Sequence, residues 1–264
     1  MSSATTTVRY WSCPASDVPA HDEWLAPFER DALRRFRAPK RRADWRLGRF
    51  TAKRAVAMTL APDAPPPRSI EIRAAASGAP EAWREGRRLP LRMSLSHSAG
   101  LAICAVATPE WRLGCDLERI EPRAPVFERD FFTDREQRWL APVTSANARA
   151  AWLTLLWSAK ESAFKAIGEG LRLDTRSVEL RALAPADEES PAPPPRDDDG
   201  RDSHGAVAHA RLLAERRTPG TEWERFVLAD AERACSWFGW WKTDGDWAMT
   251  VVTSERAPAP VLLG

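Results

Sequence analysis

The chain has 264 residues, 44% hydrophobic and 29% charged, with a formal net charge of +2. That length supports one large domain or two half-domains with sizeable cores, and the composition is that of a soluble globular protein. No stretch approaches the ~18 apolar residues of a membrane span, and the opening MSSATTTVRYWSC lacks the apolar core of a signal peptide. Cys13, Cys104, Cys115 and Cys235 show no CxxC spacing, which argues against a zinc site or disulfide framework and for a cytoplasmic location. Thirteen Trp against one Tyr read as core and interface packing.

In chain order, WLAPFERDALRRF (24–36) and RADWRLGRFTAKRAVAMTL (42–60) carry helical periodicity. They share a basic segment: Arg30 to Arg54 holds eleven Lys or Arg against Asp31 and Asp44. SIEIRA (69–74) reads as a strand. RMSLSHSAGLAICAVAT (92–108) reads as strand, turn and strand around Ala99-Gly100, and RLGCDLERI (112–120) as a further strand. DREQRWL and residues 148–168 read as helices, the second stopped by Gly168 and Gly170. SVELRAL (177–183), CSWFGWWK (235–242) and WAMTVVT (247–253) read as strands, the last two joined by the hairpin signal TDGD. Between them, 184–205 is rich in Pro, Asp and Ala and nearly free of large apolar residues. It cannot bury enough surface to offset its ordering entropy and is expected to be a disordered insertion. No internal sequence repeat is evident, and the class is mixed α+β.

Four features could carry chemistry. In GCDLER, strand alternation puts Asp116 and Glu118 on one face and Leu117 on the other. Adjacent carboxylates repel unless a cation or proton lies between them, so the pair suits a hard divalent ion such as magnesium; two unrelated acids at a solvated strand end are the plain alternative. In WSAKESAFKA, Trp157, Glu161 and Lys165 share one i, i+4 row. The ten residues before Lys160 have no charge, so charges emerging there need partners. An internal Glu161–Lys165 pair would satisfy them, and so would a metal and a phosphate. Arg42, Arg46, Arg49 and Lys53 fall within a narrow stripe of a helix, at about 0, 40, 340 and 20°, which suits either solvent or a phosphate-rich ligand. Gly48 in mid-helix hints at close packing. His97, flanked by Ser96 and Ser98 in SLSHSAG, suits a satisfied core position or a phosphate contact.

In this order, WRLGRFTAKRA, GAP, SLSHSAG, LGCDLE and WSAKESAFKAIGEGL resemble the 4'-phosphopantetheinyl transferases, and within them the large monomeric type that activates peptide and polyketide synthetases. The resemblance runs from about Leu25 to Val178, with GCDLE and WSAKESAFKA its most specific parts. It implies two similar α+β half-domains in pseudo-twofold arrangement, 1–111 binding the coenzyme A nucleotide and 112–264 carrying the metal site and catalytic helix, with the site at their interface. It implies Mg²⁺-dependent transfer of 4'-phosphopantetheine from coenzyme A to a serine of an apo acyl or peptidyl carrier protein, releasing adenosine 3',5'-bisphosphate. Asp116, Glu118 and Glu161 would hold the metal. Glu161 would be the base, and Lys165 would face the diphosphate. Ser96, His97 and Lys160 would contact coenzyme A, and Arg42, Arg46, Arg49 and Lys53 its nucleotide end.

One departure stands out. Many relatives carry a basic residue between Gly and Pro before the histidine motif, where this chain has Ala79 in SGAP, so that contact is missing or is supplied by another cation such as Arg73 or Arg84. A non-catalytic module that binds coenzyme A or a nucleotide is the main rival, and the intact acidic set and Lys165 argue against it. A nucleic-acid binder is a second rival, and the near-neutral total charge argues against it. A monomer without membrane or nucleic-acid partners is expected, and the carrier and pathway stay open.

Overall fold

The computed structural model describes residues 7–169, 172–184 and 219–263. Nearly all of the acidic Pro-rich segment expected to be disordered lies outside the described residues. The fold is α+β, as expected, with two main sheets. The first has strand order β12-β1-β6-β5, built from β1 (Arg9–Pro14), β5 (Arg92–Ser98), β6 (Leu101–Ala107) and β12 (Val261–Leu262). The second runs β7-β11-β10-β9-β8, from β7 (Leu113–Arg119), β8 (Val178–Ala184), β9 (Glu224–Asp230), β10 (Cys235–Asp244) and β11 (Trp247–Thr253). β2 (Glu71–Ala74), β3 (Pro80–Arg84) and β4 (Arg87–Arg88) form a small third sheet.

Side-chain alternation stacks these layers. On β6, Cys104 and Val106 face the long helix α2 (Pro39–Thr59), while Ile103, Ala105 and Ala107 face the second sheet. On β11, Met249 and Val251 meet that inner layer, while Ala248 and Val252 face the long helix α5 (Ala146–Ile167). The order is therefore helix, sheet, sheet, helix. The two sheets pack through a dry core that period-2 patterning on both of them creates.

A buried ion pair recurs on each side. α1 (Pro27–Arg34) brings Glu29 to Lys53 of α2 at 2.5 Å, both with no exposed surface. Glu29 also accepts the N–H of Ala26 and Ile72, and Lys53 donates to the carbonyl of Ile70. α4 (Asp134–Leu140) brings Glu136 to Lys160 of α5 at 2.8 Å, again both with no exposed surface. Glu136 accepts the N–H of Thr133 and Leu180, and Lys160 donates to the carbonyl of Val178. In each half the Glu precedes its Lys by 24 residues (53 − 29 and 160 − 136). The chain thus repeats a structural unit that its sequence conceals.

Two further contacts fix α5 on β7 and β11. Gly114 lies so close to the helix that a Cβ there would sit 1.8 Å from the carbonyl oxygen of Ser162. Beside it, the Thr250 hydroxyl lies 2.9 Å from that of Ser158 and 2.7 Å from that of Ser162, all three buried.

Several elements were not expected from the sequence: β1, β3, β4, β9, β12 and the short helix α3 (Pro125–Phe131). β12 pairs in parallel with β1, Arg9 opposite Val261. The chain's last described residues thus join the first sheet rather than the half that begins at 112.

Candidate active site between the two sheets

β5 and β7 are the edge strands that meet where the sheets adjoin. Ser94 Oγ accepts the N–H of Cys115 at 2.9 Å, and Ser96 Oγ donates to Asp116 Oδ1 at 2.7 Å. As alternation requires, Leu117 points into the inter-sheet core, while Asp116 and Glu118 point toward α5. The close approach at Gly114 lets Lys165, on the last turns of α5, reach Asp116 Oδ1 at 2.7 Å and the Cys115 carbonyl at 3.1 Å.

The electrostatics concentrate on the acids. Asp116 is 3% exposed; Oδ1 takes both hydrogen bonds, and Oδ2 is buried with no partner. Burial, then the Asp116 charge, raises the Glu118 carboxyl, and Arg123 at 3.4 Å holds it partly back. Burial pushes Glu161 up to about 7, with the Asp116 and Glu118 charges adding to the shift and Lys165 opposing it. For Lys165, burial lowers the pKa but the acids around it win and raise it. Three mutually repelling carboxylates and one unpartnered buried oxygen are the donor chemistry a divalent cation suits. Among the described residues no three such side chains already enclose a common point.

His97 lies at the same seam, exposed and beside α2, where its ring Cδ2 would be 3.8 Å from a Cβ on Gly48. The protein wall on that side lowers its pKa; the Asp44 charge opposes this, while Lys165 and Lys40 add to it. The row of α2 that faces the site is therefore Lys40, Asp44 and Gly48. Gly48, which in the sequence hinted at close packing, lies on this row.

The expected basic stripe lies on another face of α2. Arg42 pairs with Asp22 at 3.2 Å, and Arg46 with the same Asp22 at 2.9 Å as well as the carbonyls of Pro19 and Ala20. Arg49 lies over the Trp45 ring, 3.9 Å from Glu29. Lys53 and Lys160 are buried in the paired units described above. In this structure all five contact the chain's own framework. A row of cations looks the same in sequence whether it meets solvent, ligand or an acid 24 residues away. Of the two cations named as substitutes, Arg73 pairs with Glu71 and lies over Trp83, and Arg84 pairs with Glu85. Arg123, the partner of Glu118, had no sequence signal beyond its charge.

A family model described as the 4'-phosphopantetheinyl transferase superfamily matches residues 112–252, more than half of the chain. The chain belongs to the 4'-phosphopantetheinyl transferase superfamily. The match spans β7 through β11 and so includes Asp116, Glu118, Glu161 and Lys165; Ser96 and His97 lie outside it. The curated 4'-phosphopantetheinyl transferase gsp of Aneurinibacillus migulanus is 31% identical over 87 residues, 33% of this chain and 35% of that relative. The chain thus matches about a third of that relative's length. A solved holo-acyl-carrier-protein synthase from Thermotoga maritima covers 48% of this chain and 74% of its own, at 17% identity and a TM-score of 0.32.

Proposed function

We propose that this member of the superfamily transfers 4'-phosphopantetheine from coenzyme A to a serine of an apo acyl or peptidyl carrier protein, with Mg²⁺ and release of adenosine 3',5'-bisphosphate. The observation that carries the reading is the Asp116 carboxylate. One oxygen is held by Ser96 and Lys165, and the other is buried without a partner, beside two acids whose pKa values are raised. An oxygen left in that state costs free energy unless something binds it.

Asp116, Glu118 and Glu161 would hold the ion. When bound, Mg²⁺ would neutralise charge on the diphosphate. The serine Oγ of the carrier attacks the β-phosphorus, and the bond from that phosphorus to the oxygen shared with the α-phosphate breaks. The serine proton goes to the Glu161 carboxylate, which acts as the base. Lys165, held charged by its acidic neighbours, stabilises the negative charge left on adenosine 3',5'-bisphosphate. Ser96 fixes the rotamer of Asp116, and the exposed His97 presents its ring to the coenzyme. The site is expected to be complete in a monomer, in keeping with a cytoplasmic enzyme; no described helix is long and apolar enough to cross a membrane.

The test is incubation of the full chain with Mg²⁺, coenzyme A and a panel of apo carrier proteins, followed by intact-mass measurement. A gain of one phosphopantetheine on at least one carrier is expected. Tight coenzyme A binding with every carrier unchanged would favour the non-catalytic module instead.

A further inference from the structure

The three acids of the site share two cations. Lys165 pairs with Asp116 at 2.7 Å, and Arg123 lies 3.4 Å from Glu118. Glu161 has no ion pair among the described residues, and its carboxyl is the one pushed up to about 7. A divalent ion entering this group meets positive charge already in place. Like charges a few ångströms apart repel, so a cation that can move has reason to yield.

The two cations are held differently. Lys165 comes from the closely packed α5 and donates to both Asp116 Oδ1 and the Cys115 carbonyl, which leaves Asp116 Oδ2 without a partner. It can stay in place while an ion takes Oδ2. Arg123 comes from the loop between β7 and α3. Among the described residues no backbone hydrogen bond fastens 121–123, and no residue of α3 is fully buried. The guanidinium reaches Glu118 through a single long hydrogen bond, where a well-seated fork makes two. It also lies 3.5 Å from Glu121 and 5.2 Å from the centre of the Phe127 ring. Those two remain to hold it when Glu118 is taken. The Trp157 side chain on α5 hydrogen-bonds Glu118 as well. Arg123 therefore gives Glu118 charge more than direction.

We propose that Arg123 is an exchangeable counter-ion: it neutralises Glu118 while no divalent cation is bound, gives way to the ion, and so sets how tightly the ion is held. The inference rests on the reading above, in which Asp116, Glu118 and Glu161 hold the ion. The exchange lowers the affinity of the site for a divalent ion below what its three acids alone would give. Lys165 is the resident charge and Arg123 the replaceable one.

The experiment is titration of the full chain with Mn²⁺ alone, without coenzyme, followed by electron paramagnetic resonance of the free ion, with Mg²⁺ as competitor. The variants are R123A, R123Q, R123K and E118Q, and melting curves serve as the folding control. R123A and R123Q are expected to bind the ion about 10-fold more tightly than wild type at low salt, and the gap should narrow at high salt. R123K keeps the charge and should stay near wild type. In metal-free buffer R123A should melt slightly below wild type, and its rise on adding Mg²⁺ should be the larger. Unchanged affinity in both R123A and R123Q would overturn the proposal, as would a tightening that R123K shares in full. Weaker binding in all three arginine variants would overturn it too, by making Arg123 an orienting partner of Glu118. E118Q separates this inference from the reading beneath it. An ion affinity that E118Q leaves at the wild-type value sinks the ion site itself. Weakened binding in E118Q with no change in R123A and R123Q sinks the exchange alone.

Discussion

The two halves of the chain use one frame for different ends. In each, a short helix offers a buried Glu to a Lys on the long helix 24 residues later, and the pair ties both helices to the next strand. The residues that follow the Lys differ. After Lys160 come Glu161 and, one turn on, Lys165; the matching positions after Lys53 are Arg54 and Met58. Arg54 lies over the Trp11 ring, and Met58 packs against the core. The frame therefore does not make the site. In the second half the residues after the Lys reach the acids of β7, whereas in the first they meet Trp11 and the core. The first half contributes Ser96 and His97 from an edge strand instead.

The largest expected effect falls on the shared frame. K160A leaves a buried carboxylate unpaired and K53A leaves one with only Arg49 at 3.9 Å, and each should cost about 3–5 kcal/mol in urea unfolding. Similar losses at the two sites would support structural equivalence. A loss at Lys160 visible only as a raised KM for coenzyme A, with full stability, would return that residue to the ligand. The halves should separate next at the following position. E161Q should lower kcat by roughly 10²–10³-fold and raise the Mg²⁺ needed for half-maximal rate, while R54A should leave both unchanged. Wild-type turnover in E161Q would remove the contrast.

A smaller effect follows from the Glu161 carboxyl, raised from its ordinary 4.5 to about 7. The folded chain then holds this proton more tightly than the unfolded chain. Its contribution to stability is full below about pH 4.5 and lost as the pH climbs through about 7. In metal-free buffer the wild-type melting temperature, measured relative to E161Q, should fall across that window. Added Mg²⁺ should recover the loss at the alkaline end. A wild-type-minus-E161Q difference that is flat with pH would count against the shift. The smallest effect belongs to the stripe. R46A, losing its partly buried pair with Asp22, should cost about 1 kcal/mol or less and leave the KM for coenzyme A alone, whereas H97A should raise it.

What could be read from the sequence depended on how local the determinant was. Asp116, Leu117 and Glu118 were legible because strand alternation needs only neighbouring residues. Glu161 and Lys165 were legible because an uncharged run makes a sudden charge conspicuous. The pairing of Glu29 with Lys53, and of Glu136 with Lys160, was not, because nothing near a lysine tells whether its partner is an acid on another helix. β1 and β12 went unseen for a related reason. They are held by strands distant in sequence, β1 pairing with β6 and β12, whereas β9 lies in a hairpin with β10 that the sequence reading passed over. The direction in which α2 presents its faces was equally non-local, since the partners of its cations lie in the 19–23 loop and at Glu29.

The hydroxyl trio of Ser158, Ser162 and Thr250 acts as an index mark. An apolar helix on an apolar strand can slide or roll a little at small cost. Three buried hydroxyls that satisfy one another allow one alignment, because any slip strands them at about 1–3 kcal/mol apiece. Glu161 lies between the two serines on that helix, so the position of its carboxyl is set by neighbours that need never touch a substrate. Replacing the trio with alanine and valine would make a core that is easier to pack, yet one whose helix no longer has a single place to stop.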